Sequence, residues 1–346
     1  MRRREFLSAL AALAVEVKYA AVDPRHRLEF PRDHGAHPDF RTEWWYLTGW
    51  LSGARNGPLG FQITFFRSRP PFDSANPSAL APRQVLLAHA ALADPRLGRL
   101  QHDQRAARQA LGLSGSSEET TKVWIDDWRL TLEGDVYRSR IAARDFLLEL
   151  EFRAARAPLA QGENGFSRKG SRPTEASHYY SRPQLAVTGR VSGEKVSGTA
   201  WLDHEWSSSY LAPEAAGWDW VGLNLADGGA LMAFRMRDRR NDVHFAGGTL
   251  ASGDARVRTF ARDEIAFEPL RRWRSPRTGV EYPVAMRVRA GSLRWELAPL
   301  MDDQELDARA STGTIYWEGA VRASSAGAVA GGGYLELTGY WKPMRL

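Results

Sequence analysis

The 346-residue chain contains no cysteine, which excludes disulfides, thiolate-bound metal and a cysteine nucleophile. Lysine is nearly as scarce. Of the 47 basic residues only Lys18, Lys122, Lys169, Lys195 and Lys342 are lysines, which leaves 42 arginines. The arginines are interleaved with acids, as in Arg235-Met-Arg-Asp-Arg-Arg240, and their densest groups are short and surrounded by no basic helix or nucleic-acid module. The net charge of +6 is therefore read as a solvated arginine-rich surface, and nucleic acid is not an expected partner. No apolar run approaches the ~18 residues that a membrane span needs, so no transmembrane segment is expected in the mature chain. Signature motifs are missing too. The nearest approach to G-x-S-x-G, Gly112-Leu-Ser-Gly-Ser116, lacks the last glycine; no G-x-G-x-x-G follows a strand, and no phosphate-loop lysine occurs. Serine hydrolases and nucleotide-dependent enzymes are left without support.

What is present begins with a leader. Arg2-Arg3-Arg4-Glu5-Phe6-Leu7 precedes a short apolar run, Ser8 to Val15, in the manner of a twin-arginine export signal over residues 1–21. Export to the periplasm is the expectation, with a cytoplasmic location if the leader is vestigial. Thirteen tryptophans and 31 glycines, with few helical apolar patterns, favour an all-β architecture. Period-two alternation is clear where Trp128, Leu130 and Leu132 oppose Arg129, Thr131 and Glu133, and again at Met232, Phe234 and Met236 among arginines. About sixteen to eighteen strands, most joined as hairpins, would fill two consecutive barrels of roughly eight strands. The exceptions are one predicted helix, Gln101 to Leu111, and a polar, glycine-rich stretch, Pro158 to Ser177, predicted as a mobile loop.

Two stretches stand out chemically. Residues 30–51, FPRDHGAHPDFRTEWWYLTGWL, set Asp33, His34, His37 and Glu43 before Trp44, Trp45, Tyr46 and Trp50. Residues 199–225 repeat the theme, with Asp203, His204 and Glu205 between Trp201 and Trp206, followed by Trp218 and Trp220. Buried Trp and Tyr need hydrogen-bond partners, so such stretches suit a pocket wall better than plain core, and they are read as two walls of one site. On a strand over 218–225, Asp219 shares a face with Val221, Leu223 and Leu225, between two tryptophans. A carboxyl there is desolvated, its pKa rises, and it becomes a proton donor. The alternative is a buried ion pair with one of the many arginines. Protonating an isolated alkene gives a carbocation that indole faces stabilise, so a buried acid, a water-orienting His or Glu and several tryptophans are the parts of a hydration site. A weaker alternative gathers His34, His37 and His204 around a metal, with Asp33, Asp203 and Glu205 adding oxygen.

Residues 30–51, Tyr179-Tyr-Ser-Arg-Pro183, Trp201-Leu-Asp-His-Glu-Trp-Ser207 and Gly217-Trp-Asp-Trp-Val-Gly-Leu-Asn224 together resemble the AttH-like/carotenoid 1,2-hydratase family, from about Phe30 to the C-terminus. The resemblance implies two tandem lipocalin-like (calycin) antiparallel β-barrels, here over residues 28–210 and 211–346. It implies a mixed functional class, including hydratases that add water across an isoprenoid double bond, lipocalin-like cyclases, and exported members found beside transporter components. The hydratase's functional His and Trp match His204 and Trp206, whereas Asp219 rests on the physical argument alone.

The reading is a lipocalin-like protein that binds an apolar isoprenoid or acyl ligand and catalyses acid-assisted hydration or isomerisation of a carbon–carbon double bond. Asp219, His204, Trp206 and Glu205 are the expected catalytic group. Trp44, Trp45, Tyr46, Glu43, His34, Tyr180, Trp218 and Trp220 are the expected ligand-binding residues. No cofactor or resident metal is called for. The alternative is a non-catalytic exported carrier of lipophilic molecules, with ABC transporter components as candidate partners.

Overall fold

A computed structural model describes residues 18–53, 57–71, 78 and 81–344. The export-leader motif falls outside the described residues. Among the described residues there are 23 β-strands, three short 3-10 helices and no α-helix. All strands pair antiparallel and form two sheets. The first sheet has thirteen strands and runs from Thr42–Gly53 to Glu194–Ser207; the second has ten and begins at Ala215–Leu225.

Each sheet curls because its first strand pairs both with the next strand and with the last. Thr42–Gly53 lies between Leu59–Ser68 and Glu194–Ser207, and Ala215–Leu225 lies between Ala230–Asp238 and Ala328–Leu337. This is the hydrogen-bonding half of barrel closure. Side chains complete the other half. In the first barrel the Arg105 guanidinium crosses the seam to donate to the Ile125 carbonyl at 3.1 Å. The interiors are filled by alternate residues of every strand. Trp45, Leu47, Phe61, Trp128, Leu130, Leu148 and Leu202 pack the first, and Val221, Leu223, Tyr282, Met286, Trp295 and Leu335 the second.

The opposite faces of the same strands make a third core between the barrels. Tyr46, Tyr179 and Trp201 there meet Trp220, Met232, Phe234 and Tyr334. Gly60 permits the approach: a Cβ at that position would stand 2.6 Å from the Ala320 Cβ and 2.8 Å from the Tyr334 hydroxyl.

Three sequence expectations change. The strand count exceeds the predicted sixteen to eighteen, because many strands are only two to four residues long. The segment predicted as a helix over 101–111 is the edge strand Gln101–Arg108, paired with Val85–Ala93. Its residues are good helix formers, but tertiary pairing overrides that preference: Gln104 donates to the Asp307 carbonyl of the second barrel while Arg105 spans the seam. Finally, the stretch 158–177 is no open loop. It contains the strands Leu159–Ala160 and Phe166–Arg168, both paired with Ala176–Val191, and it buries Gln161 and Lys169.

Candidate functional site

Strand alternation decides where each polar side chain goes. Thr42–Gly53 and Glu194–Ser207 are direct neighbours, with Trp45 opposite His204, Glu43 opposite Trp206 and Tyr46 opposite Asp203. The odd-numbered residues of the first strand and the even-numbered residues of the second therefore enter the first barrel, and the others face the second barrel. The two walls predicted to enclose one site instead serve two.

Inside the first barrel the Glu43 carboxylate is the hub. Its Oε1 accepts from His37 Nδ1 at 2.7 Å and from His204 Nε2 at 2.9 Å, and its Oε2 from Arg67 Nε at 2.7 Å. Burial opposes the charged form, yet Arg67, His37 and the imidazole hydrogen bonds hold its pKa well below the usual carboxylate range. For His37 burial is likewise overcome, here by Glu43 and Asp33, and its pKa is raised. A chain of donors continues from the hub: Arg182 to His34 Nε2 at 3.2 Å, His34 Nδ1 to the Tyr180 hydroxyl at 2.9 Å, and Tyr180 to His204 Nδ1 at 3.1 Å. That ordering fixes both neutral imidazoles as single tautomers. Burial, with Arg182 and His204 nearby, lowers His34 to about 3, and burial also lowers His204. Trp206 stacks on His37 with centroids 3.6 Å apart, and Trp45 lies over His204 at 4.8 Å.

All ring nitrogens of His34, His37 and His204 thus have protein partners. His204, with no exposed surface, holds Glu43 and Tyr180 rather than presenting a nitrogen to an open space. Among the described residues, the three metal-type donors that approach one another are His37, Glu43 and His204, rather than His34, His37 and His204. The carboxylates of Asp33 and Glu43 flank His37 and raise its pKa, and Arg32, Asp33, Glu43 and Tyr180 already occupy the ring nitrogens of His37 and His204.

The second cluster lies between the barrels, along a cleft of about 1130 Å³. Trp44, Tyr46, Phe66, Tyr210, Trp218 and Trp220 wall it, and Asp203, Glu205, Glu318 and Glu336 reach into it. Glu43 and Arg67 border it from the first sheet. Asp203 accepts from the Tyr179 hydroxyl at 2.6 Å, the Ser181 hydroxyl at 2.5 Å and Trp201 Nε1 at 2.6 Å. Burial nevertheless prevails over these donors and lifts its pKa to about 7. Glu205 is paired with Lys169 at 2.8 Å and with the Ser177 hydroxyl; burial raises Glu205 and lowers Lys169. The Lys169 ammonium sits over Phe234 at 4.3 Å, Tyr179 at 4.9 Å and Tyr210 at 5.1 Å. On the opposite wall Glu318 and Glu336 stand directly across from each other on Thr314–Ser325 and Ala328–Leu337. Trp218 Nε1 donates to Glu336 at 2.8 Å. Burial raises Glu336 to about 7, with Asp203, Glu205 and Asp219 adding to the rise, and burial with the Glu336 charge raises Glu318 well above its usual range.

Asp219 lies apart from both clusters. It shares a face with Val221 and Leu223 as expected, but that face lines the second barrel's interior. There Arg235 Nε donates to its Oδ2 at 2.7 Å and Arg237 Nε to its Oδ1 at 2.9 Å, and the Tyr340 hydroxyl lies 3.1 Å away. It sits in a buried ion pair, the alternative the sequence also allowed, and does not line the cleft. The other predicted residues divide. His34, Glu43, Trp45, Tyr180, His204 and Trp206 belong to the first-barrel network, and Trp44, Tyr46, Glu205, Trp218 and Trp220 to the cleft. Lys169, Glu318 and Glu336 were not picked out as site residues, and Asp203 only as an oxygen donor in the metal alternative. A signal existed for the two glutamates, since Tyr316-Trp-Glu318 and Tyr334-Leu-Glu336 repeat a Tyr-x-Glu pattern that puts tyrosine and carboxyl on one strand face.

Comparison with known proteins places the architecture. A model of the AttH-like family matches residues 21–340. A crystal structure of an AttH-type protein from Nitrosomonas europaea is 51% identical, covers 93% of this chain and 99% of its own, and superposes with a TM-score of 0.87. Kievitone hydratase from Nectria haematococca shares the fold at 14% identity, covering 92% of this chain and 95% of its own with a TM-score of 0.68. CghA in complex with Sch210972 is similar at 12% identity and a TM-score of 0.50, covering 92% and 96%. No curated protein sequence matches the chain.

Proposed function

The chain belongs to the AttH-like family, and from that premise we propose that the inter-barrel cleft binds an apolar ligand, isoprenoid or acyl, and catalyses acid-assisted hydration or isomerisation of a carbon–carbon double bond. One observation carries this reading. An aromatic-walled cavity of about 1130 Å³ holds carboxyls that burial lifts toward neutrality, Asp203 and Glu336 each to about 7. A carboxylic acid that stays protonated near neutral pH can donate a proton, and in an apolar site little competes with the alkene for it. The faces of Trp44, Trp218 and Trp220 then stabilise a developing cation without capturing it. The volume exceeds the roughly 300–1,000 Å³ of ordinary ligand pockets, which suits a long chain. That a protein of this fold is named a hydratase agrees with the chemistry.

The experiment is to incubate the protein with geraniol, farnesol and squalene in heavy-oxygen water and to search for labelled alcohols by mass spectrometry. A labelled product that disappears when Leu87→Trp fills the cleft supports hydration there. A second reading, a carrier without chemistry, is favoured by the size of the cavity. It predicts ligand retained unlabelled by the wild type and lost in Leu87→Trp. A panel neither retained nor converted sinks both.

A further inference from the structure

The four cleft carboxyls are not equivalent. Asp203 is saturated by three donors, and Glu205 is held by Lys169 and Ser177. Glu318 differs: its side chain is buried, with 3% of the residue exposed, and the polar groups that reach its carboxyl are the hydroxyls of Tyr46 and Tyr316. The Tyr46 hydroxyl faces it from the first sheet, in a residue 7% exposed. Both line the cavity. A carboxyl and a hydroxyl that meet across one cavity, with no stronger donor to hold them, mark a place where a polar group of substrate or a water can be received.

The pairing of Glu318 with Glu336 is equally telling. Carboxyls directly opposite on neighbouring antiparallel strands have Cβ atoms about 4.5–5.5 Å apart, where two like charges destabilise the sheet. One shared proton relieves the repulsion. Hydrogen-bond direction assigns that proton. Ser311 donates to Gln104 at 2.6 Å, so its oxygen accepts from His89 Nε2 at 2.8 Å; His89 Nδ1 must then accept from the Tyr316 hydroxyl at 2.8 Å. With its hydrogen given to His89, Tyr316, two residues from Glu318 on one strand, leaves Glu318 an acceptor oxygen. Glu336 receives a hydrogen bond from Trp218, which suits the carboxylate.

We propose that Glu318 and Glu336 are the acid and base of the cleft, a single proton-sharing unit. This rests on the reading of the cleft as the reaction site. The Glu318 O–H gives its proton to one alkene carbon, forming a C–H bond from the π pair and leaving a cation on the neighbouring carbon. A water oxygen supplies the lone pair for the new C–O bond, and the proton that water loses passes to the Glu336 carboxylate. One water has been added, and the unit still carries one proton. Transfer from Glu336 to Glu318 across the strand pair restores the starting state. The charged or titratable groups that act on the pair include Tyr46, Asp203, Glu205, Tyr316, Tyr334 and, through the second sheet, Asp219. His89, Arg67, Arg239 and Lys342 line the same cavity, and of these Arg67 is committed to Glu43.

The test combines a substrate-free readout with turnover. Infrared difference spectra of the wild type, titrated through neutrality, should show a protonated-carboxyl band that Glu318→Gln removes. With geraniol, farnesol and squalene in heavy-oxygen water, Glu318→Gln should retain the ligand yet lose labelled product by at least about a hundredfold, and Glu318→Asp should restore part of it. Retained ligand with undiminished turnover in Glu318→Gln overturns the assignment and leaves the cleft reading standing. A wild type that neither retains nor converts any of the three compounds overturns both.

Discussion

The inside of the first barrel and the cleft beside it are built on the same two strands, yet they treat charge in opposite ways. In the barrel the Glu43 carboxylate is met by Arg67, His37 and His204, and every imidazole nitrogen of the network is engaged. In the cleft, among the described residues, only Glu205 of the four carboxyls is paired with a cation, Lys169. A matched network fixes positions; its members are too well satisfied to give anything away. An unmatched network keeps protons that can be given up. Richness in His, Glu and Trp does not by itself separate structural from reactive clusters; the ratio of donors to acceptors does.

The sharpest way to break the comparison is to unbalance the balanced side. Glu43→Gln leaves Arg67 buried without its counter-charge and removes one of the two carboxylates beside His37, and should cost about 3–5 kcal/mol in denaturant unfolding. Asp219→Asn should destabilise in the same way through Arg235 and Arg237, while product formation by the folded fraction persists. A loss of labelled product beyond the loss of folded protein would restore Asp219 as the acid.

The cleft should respond oppositely, and pH exposes it. The pKa of Asp203 is about 7 when folded against 3.8 unfolded, and that of Glu336 about 7 against 4.5. Between those values the folded state binds more protons, so these groups make stability fall as pH rises from about 4 to about 7, after which their effect is constant. Asp203→Asn should flatten that slope in unfolding measured across the range. An unchanged slope would show that Asp203 titrates normally.

Ligand charge gives the smallest effect. A neutral isoprenoid alcohol should bind at least about tenfold more tightly than the corresponding carboxylate, because the carboxylate would lie among acids. Competition by the two ligands for quenching of the cleft tryptophans measures it. Equal affinities would mean that the ligand does not approach Asp203 or Glu318.

Much of the fold was legible because period two is a local property: Trp128, Leu130 and Leu132 point inward as their alternation predicts. The helix expected over 101–111 failed because a strand at a barrel seam is defined by partners such as Ile125 and Asp307, far away in sequence. The site was half legible. The two aromatic stretches are indeed adjacent strands, but a strand has two faces, and reading both as one pocket merged a structural network with a cleft. Asp219 illustrates the limit. Its face was correctly assigned, yet whether that face meets a ligand or Arg235 depends on barrel closure, which leaves no local mark. Glu318 and Glu336 become neighbours only through register, although each carries its own Tyr-x-Glu signature.

The two walls of the cleft come from different sheets, each with its own interior. Substitutions on the outward face of Thr314–Ser325 or Ala328–Leu337 can therefore reshape the cavity without touching the Glu43 network that sets the first barrel. Such an arrangement gives heredity a fixed half and a variable half. Related chains would diversify their chemistry by drift in the second barrel alone, and a hybrid joining the first half of this protein to the second half of a relative should inherit the relative's choice of ligand.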